Sequence, residues 1–132
     1  MIQKDNFRAM LLSLGFSEQK QVLSKFFPQF DGELKVDFVQ EKLIYPEDKD
    51  LKINERQTCN FASAENAVVF ECVCRLLEKG YERQHIELEP KWKVGHGASG
   101  GRADILVKDQ QNTPLLIIEC KTFGKEFDKA WK

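Results

Sequence analysis

The sequence predicts an α/β domain in which one long amphipathic helix is followed by three strands and the opening of a further helix. Three observations carry this. Residues 64–79, AENAVVFECVCRLLEK, place apolar side chains at helical spacing, with Ser63 set to cap the start and Gly80 to end it. Three strand-like runs follow at His85–Val94, Ala103–Lys108 and Leu115–Thr122, separated by GHGASGG and by the turn DQQNTP. The chain has 132 residues, 42% of them hydrophobic and ten of them Phe, enough for one domain with one core.

Ahead of the long helix, residues 5–15 read as an amphipathic helix. Phe7, Met10, Leu11 and Leu14 fall at i, i+3, i+4 and i+7, Asp5 or Asn6 can cap the start, and Gly15 can end it. Ser17–Phe27 repeats the pattern with Val22, Leu23, Phe26 and Phe27 before Pro28, which predicts a second helix. Residues 34–45, LKVDFVQEKLIY, predict a hairpin turning near Gln40-Glu41. Tyr45 to Asp50 is a polar connection, and Asn54 to Phe61 has no clear period. On this reading residues 1–55 are a helical and hairpin extension, and residues 60–132 are the core. The final helix opens at 125–132 and stops at Trp131-Lys132 without a cap, as an N-terminal piece of a larger protein would.

Composition removes several classes. The apolar runs are a few residues long, far short of the roughly 20 that span a bilayer. The start, MIQKDNFRAM, lacks the apolar region of a secretory signal. Cys59, Cys72, Cys74 and Cys120 match neither zinc nor redox spacing, so reduced thiols and a cytoplasmic location are expected. His85 and His96 make no helical metal pair. Residues 91–132 hold eight Lys/Arg against five Asp/Glu, whereas residues 1–90 hold twelve against sixteen. That mild basic bias suits a polyanion, although a solvated surface would give the same count.

The chemistry lies in two strands. Leu115-Leu116-Ile117-Ile118 is a buried-strand signature that runs into Glu119-Cys120-Lys121. Alternation sets Glu119 and Lys121 on one face and Cys120 on the other. One strand earlier, Ala103-Asp104-Ile105-Leu106-Val107 embeds a single carboxylate in apolar residues. Charges continuing an apolar strand are costly unless paired or bound to an ion. Neighbouring strands would bring Asp104 and Glu119 to one oxygen-rich site suited to Mg²⁺, with Lys121 beside it. Glu-x-Lys alone is weak, because it occurs five times, at Glu18, Glu33, Glu47, Glu89 and Glu119. Only the last copy ends an apolar strand with another strand-borne carboxylate before it. The competing reading is a strand-end salt bridge between Glu119 and Lys121. A third acid, Glu65, falls with the stripe Val69, Cys72 and Leu76 and points to the sheet, while Glu71 faces solvent. Favourable contact with the helix dipole is the plainer account of Glu65. Gly95-His96-Gly97-Ala98-Ser99-Gly100 spells G-x-G-x-x-G but opens a strand, so it lacks the helix N-terminus a dinucleotide needs. His96 and Arg102 could touch phosphate there, or lie in an exposed turn.

GHGASGGRADILV, PLLIIECKT and ENAVVFECVCRLLEKGY together resemble the N-terminal PD-(D/E)xK nuclease domain of type I restriction enzyme R subunits. They also resemble related single-chain restriction-modification proteins. The likeness covers roughly residues 60–132. It implies a restriction-endonuclease-like αβα sandwich around a central mixed sheet, acting as a Mg²⁺-dependent DNA endonuclease, with Mn²⁺ able to substitute. It implies Asp104, Glu119 and the Cys120 backbone carbonyl as metal ligands, Lys121 as the catalytic lysine and Glu65 as the accessory acid. It implies double-stranded DNA and other restriction-modification subunits, or fused translocase or methyltransferase domains, as partners, and no membrane. The family's leading Pro-Asp is Ala103-Asp104 here, which keeps the carboxylate. Relatives carry Gln-x-x-x-Tyr on the helix after the lysine, and residues 122–132 contain no such pair. The alternative is a non-catalytic module of the same fold that docks DNA or partner subunits.

Overall fold

A computed structural model of the chain describes residues 1–47, 51–54, 56–89 and 104–120. The described part is mixed α/β, with two α-helices and two four-stranded sheets. The order is α1 (Lys4–Ser13), β1 (Ser17–Gln19), β2 (Val22–Phe27), β3 (Gly32–Asp37), β4 (Lys42–Ile44), β5 (Lys52–Ile53), α2 (Ala64–Glu78), β6 (Ile86–Leu88), β7 (Ile105–Lys108) and β8 (Pro114–Ile118). Single 3₁₀ turns at Arg56–Cys59 and Arg83–His85 precede α2 and β6. No described helix is long and apolar enough to cross a membrane.

α1 forms where the pattern placed it, one residue early. Its cap is Gln3, whose side-chain oxygen accepts from the Asn6 N–H at 2.9 Å, rather than Asp5 or Asn6. Phe7 and Leu11 are buried, and Gly15 closes the segment at φ +96°.

The helix expected over 17–27 is not formed; those residues make the β1–β2 hairpin. Val22, Leu23, Phe26 and Phe27 satisfy a helical period, but Leu23 and Phe27 also lie four apart on one face of a strand. Both are buried while Phe26 is exposed. Pairing of β2 with β3 over six residues, Val22↔Asp37 to Phe27↔Gly32, decides in favour of the strand. The turn is Lys20-Gln21, with both residues at positive φ (52° and 65°). The expected 34–45 hairpin is present as β3 and β4, with Glu41 at φ +57° in its turn.

Sheet one is the antiparallel meander β1-β2-β3-β4. Sheet two runs β5-β6-β7-β8 and is mixed, because β5 lies parallel to β6 while the other pairs are antiparallel. The short β5, from the segment before residue 55, thus adds a strand to the sheet that holds Asp104. α2 packs between the two sets of apolar side chains. Phe70 is wholly buried, with ring centroids 5.2 Å from Tyr45, 6.0 Å from Phe16 and 6.2 Å from Phe7. Ile86, Leu88, Ile105 and Val107 complete the same cluster from the second sheet.

α2 starts and stops as its sequence indicated: Ser63 Oγ accepts from the Glu65 N–H at 3.2 Å, and Gly80 has φ +101°. Its buried arc is rotated from the expected Val69, Cys72, Leu76 stripe. The arc runs through Asn66, Val69, Phe70, Val73, Cys74, Leu76 and Leu77, and Cys72 sits half-buried on its flank. The first sheet explains the shift, since it covers the Phe70 side that a one-faced helix would leave in water.

Candidate active site at the ends of β7 and β8

The register Ile105↔Ile118 puts Asp104 and Glu119 at the same end of the β7–β8 pair. Asp104 immediately precedes β7. Its N–H donates to the Ile118 carbonyl at 2.9 Å, and its own carbonyl accepts from the Glu89 N–H at 2.9 Å. A residue within a regular antiparallel strand sends both groups to one neighbour. Asp104 divides them between β8 and the chain leaving β6, so its main chain is fixed from both sides.

Its side chain is fixed as well. Asp104 Oδ2 accepts from the Cys120 N–H at 2.7 Å in a buried bond, and the residue is only 9% exposed. The carboxylate therefore lies against the peptide joining Glu119 to Cys120. Glu119 and Cys120 follow β8 with the expected alternation, Glu119 exposed and Cys120 buried.

Glu65 approaches from α2. It is half-buried in the first helical turn. The Cys120 thiol is held far above its ordinary range, first by a hydrogen bond with Cys72, then by burial, then by the charges of Cys72, Asp104 and Glu65. Asp104 and Glu65 thus act on one thiol from two different elements. Glu71 does not join them and instead pairs with Arg75 one turn on, at 2.9 Å.

Lys121, His96 and Arg102 lie outside the described residues, as does the segment 125–132 expected to open a helix. Among the described residues, no three His, Cys, Asp or Glu side chains gather to hold a metal ion. Asp104, Glu119 and Glu65 offer hard carboxylate oxygens, the donor type that suits Mg²⁺ or Mn²⁺ rather than a thiophilic metal.

Three features escaped the sequence reading. The first is the Cys120 N–H as the anchor of Asp104, a main-chain contact that side-chain patterning cannot show. The second is that Cys72 on α2 acts on the Cys120 thiol from a distant position in the chain. The third is Glu87 on β6, 6% exposed, which accepts from Asn54 Nδ2 at 2.7 Å and from Lys108 Nζ at 3.3 Å. The alternation Ile86-Glu87-Leu88 was the available signal for that one.

A family model described as the type I restriction enzyme R protein N terminus matches residues 64–130. The match begins at the first residue of α2 and takes in Glu65, Asp104, Glu119 and Lys121. No curated protein and no solved structure matches the chain.

Proposed function

Because this chain belongs to the type I restriction enzyme R protein N-terminal family, we propose that it is the Mg²⁺-dependent DNA endonuclease domain of a restriction-modification system. The observation that carries the reading is the Asp104 carboxylate, buried at the head of β7 and tied to the Cys120 N–H beside Glu119. A buried carboxylate is unfavourable without compensation. The Cys120 N–H supplies part of it, and in a catalytic site a divalent cation would add to it.

In this reading Asp104, Glu119 and the Cys120 carbonyl hold Mg²⁺, or Mn²⁺ in its place. When bound, the ion offsets charge developing on the scissile phosphate. The protein side of the reaction is positional. The Cys120 N–H and the two-sided main chain of Asp104 keep its carboxylate from turning away, so its orientation is set before substrate arrives. Glu119 presents its carboxylate from the exposed side of the same strand end. Lys121 orients or deprotonates the attacking water and keeps a positive charge beside it. Glu65 adds an accessory acid from α2, and His96 and Arg102 contact the phosphates of double-stranded DNA. The wider proposal is an αβα nuclease core over 60–132 with 1–55 as an extension. The domain works in the cytoplasm with restriction-modification subunits or fused translocase or methyltransferase domains.

The test is cleavage by the intact enzyme that carries this chain. With Mg²⁺, wild type is expected to cut double-stranded DNA, and Lys121→Ala and Asp104→Asn to lose at least a hundredfold of that rate, on the order of what one positioned group contributes. Undiminished cutting by both variants would overturn the assignment.

A further inference from the structure

Asp104 is held by β8, by the Cys120 N–H and by the chain leaving β6, and the last of these holds is itself secured from elsewhere. The Asp104 carbonyl accepts from the Glu89 N–H at 2.9 Å. The other end of that peptide, the Leu88 carbonyl, accepts twice from Asn54: from its main-chain N–H at 3.3 Å and from its Nδ2 at 3.2 Å. Nδ2 also donates to the buried Glu87 carboxylate, to Oε2 at 2.7 Å. Both side-chain partners are acceptors, so the Asn54 amide must present its NH₂ to them and place both hydrogens there. Asn54 directly follows β5 and lies ahead of the residues 64–130 that the family model matches.

The Leu88–Glu89 peptide needs such a hold. The β6–β7 ladder runs from Ile86↔Val107 to Leu88↔Ile105 and stops there. Glu89 then takes φ +48°. The other left-handed non-glycine residues among those described, Lys20, Gln21, Asp31, Glu41 and Asn112, all lie in hairpin turns, where such backbone is ordinary. Glu89 instead stands at a strand end, and Pro90 follows it in the sequence. A residue before proline favours extended backbone. Strain of this kind persists only where surrounding bonds over-determine it. Asn54 on one side of the peptide and Asp104 on the other supply those bonds.

We propose that Asn54 is a positioning residue for the Asp104 carboxylate, acting through the Leu88–Glu89 peptide. With its amide in place, the Glu89 N–H stays on the Asp104 carbonyl and Oδ2 stays on the Cys120 N–H. Without the amide, one main-chain bond at 3.3 Å is left on the Leu88 carbonyl. The strained peptide is then free to turn toward extended backbone and withdraw its N–H. A main chain held by β8 alone no longer fixes where the carboxylate sits. The positioning stands on hydrogen bonds; its effect on a bound ion rests on the proposed metal site.

The experiment follows amide hydrogen exchange by mass spectrometry, resolved to single amides, in the intact protein as wild type, Asn54→Ala and Lys108→Met. Lys108 is the comparison because its Nζ donates to the same Glu87 carboxylate, at 3.3 Å, from the end of β7 away from Asp104. Asn54→Ala is expected to speed exchange of the Glu89 and Cys120 amides about tenfold, the effect of losing one hydrogen bond of ordinary strength. Exchange within α2 is expected to stay as in wild type, and Lys108→Met to leave both amides unchanged. Wild-type protection of the Cys120 amide in Asn54→Ala overturns the proposal. So does the same acceleration in Lys108→Met, or faster exchange throughout α2, the mark of a general loss of stability. In a second arm, calorimetric titration is expected to show Mn²⁺ binding about tenfold weaker in Asn54→Ala than in wild type or Lys108→Met, the usual cost of losing support behind a metal ligand. Equal affinity overturns the link to the ion. No binding by wild type counts against the metal site, while the exchange result still decides the positioning.

Discussion

Two opposing terms meet on Asp104. On charge alone, Asp104→Ala removes a buried negative charge near the Glu119 strand end and would stabilise the metal-free protein. The structure adds a buried Cys120 N–H that then loses its acceptor. An unsatisfied buried donor costs about 1–3 kcal/mol, which outweighs repulsion between partly solvated carboxylates. We therefore expect Asp104→Ala to be less stable than wild type without metal. Asp104→Asn, which keeps an acceptor oxygen, should lose less. Urea denaturation at neutral pH checks the order, and an alanine variant as stable as wild type would show that the N–H bond contributes nothing. The same residue shows what the sequence could convey. A carboxylate within ADILV announces itself by its apolar neighbours. Which backbone N–H holds it depends on the crossing of β7 to β8, and no side-chain pattern records that.

Elements were legible where local signals agreed and opaque where two periods fitted. α2 has a capping serine, an apolar arc and a terminal glycine, and all three point to one answer. Residues 17–27 fit helix and strand alike, and their turn is Lys20-Gln21, which carries none of the Gly or Asn that usually marks positive φ. That turn gives a direct check: Lys20→Asn with Gln21→Gly should stabilise the protein by about 0.5–1 kcal/mol by removing left-handed strain. Destabilisation by the pair would contradict the hairpin. β2 is tied to α2 by Lys25, whose ammonium donates to the Leu14 carbonyl at 2.6 Å and to Glu78. The hydrogen bond from Lys25 holds the Glu78 carboxyl below its usual range. A carboxyl lowered in the folded state contributes stability above its unfolded pKa, and that contribution is lost as pH falls through the folded value. Wild type should therefore exceed Lys25→Met at neutral pH, and the gap should narrow below about pH 4.3, the ordinary glutamate value. Stability curves in urea from neutral to acid pH measure this, and a constant gap would mean that the pair makes no charge-dependent contribution.

Across the whole molecule, Phe70 is the point where the two sheets share a core. It touches Phe7 of α1 and Phe16 and Tyr45, which flank the first sheet, while its helix carries Val69, Val73 and Leu77 into the cluster with Ile86, Leu88, Ile105 and Val107. Phe70→Ala should cost about 3–5 kcal/mol and leave a single unfolding transition, seen at the same denaturant concentration by near-UV and far-UV dichroism. Separate transitions would mean that the sheets unfold independently. The sequence conveyed β6, β7 and β8 because each bears its own pattern, but not β5, and β8 leaves Leu115, Leu116 and Ile117 exposed although their run reads as a buried strand. It did not convey that the first sheet packs on α2, since that contact is written in aromatics spread from Phe7 to Phe70. The functional claim reduces to whether Asp104 and Glu119 bind a divalent ion. Calorimetric titration of Mn²⁺ into wild type, Asp104→Asn and Lys121→Ala addresses it. Saturable binding by wild type and Lys121→Ala, lost in Asp104→Asn, is the result expected of a metal-dependent nuclease site. No binding by wild type up to millimolar Mn²⁺, about the weakest range a working Mg²⁺ site would show, would contradict it.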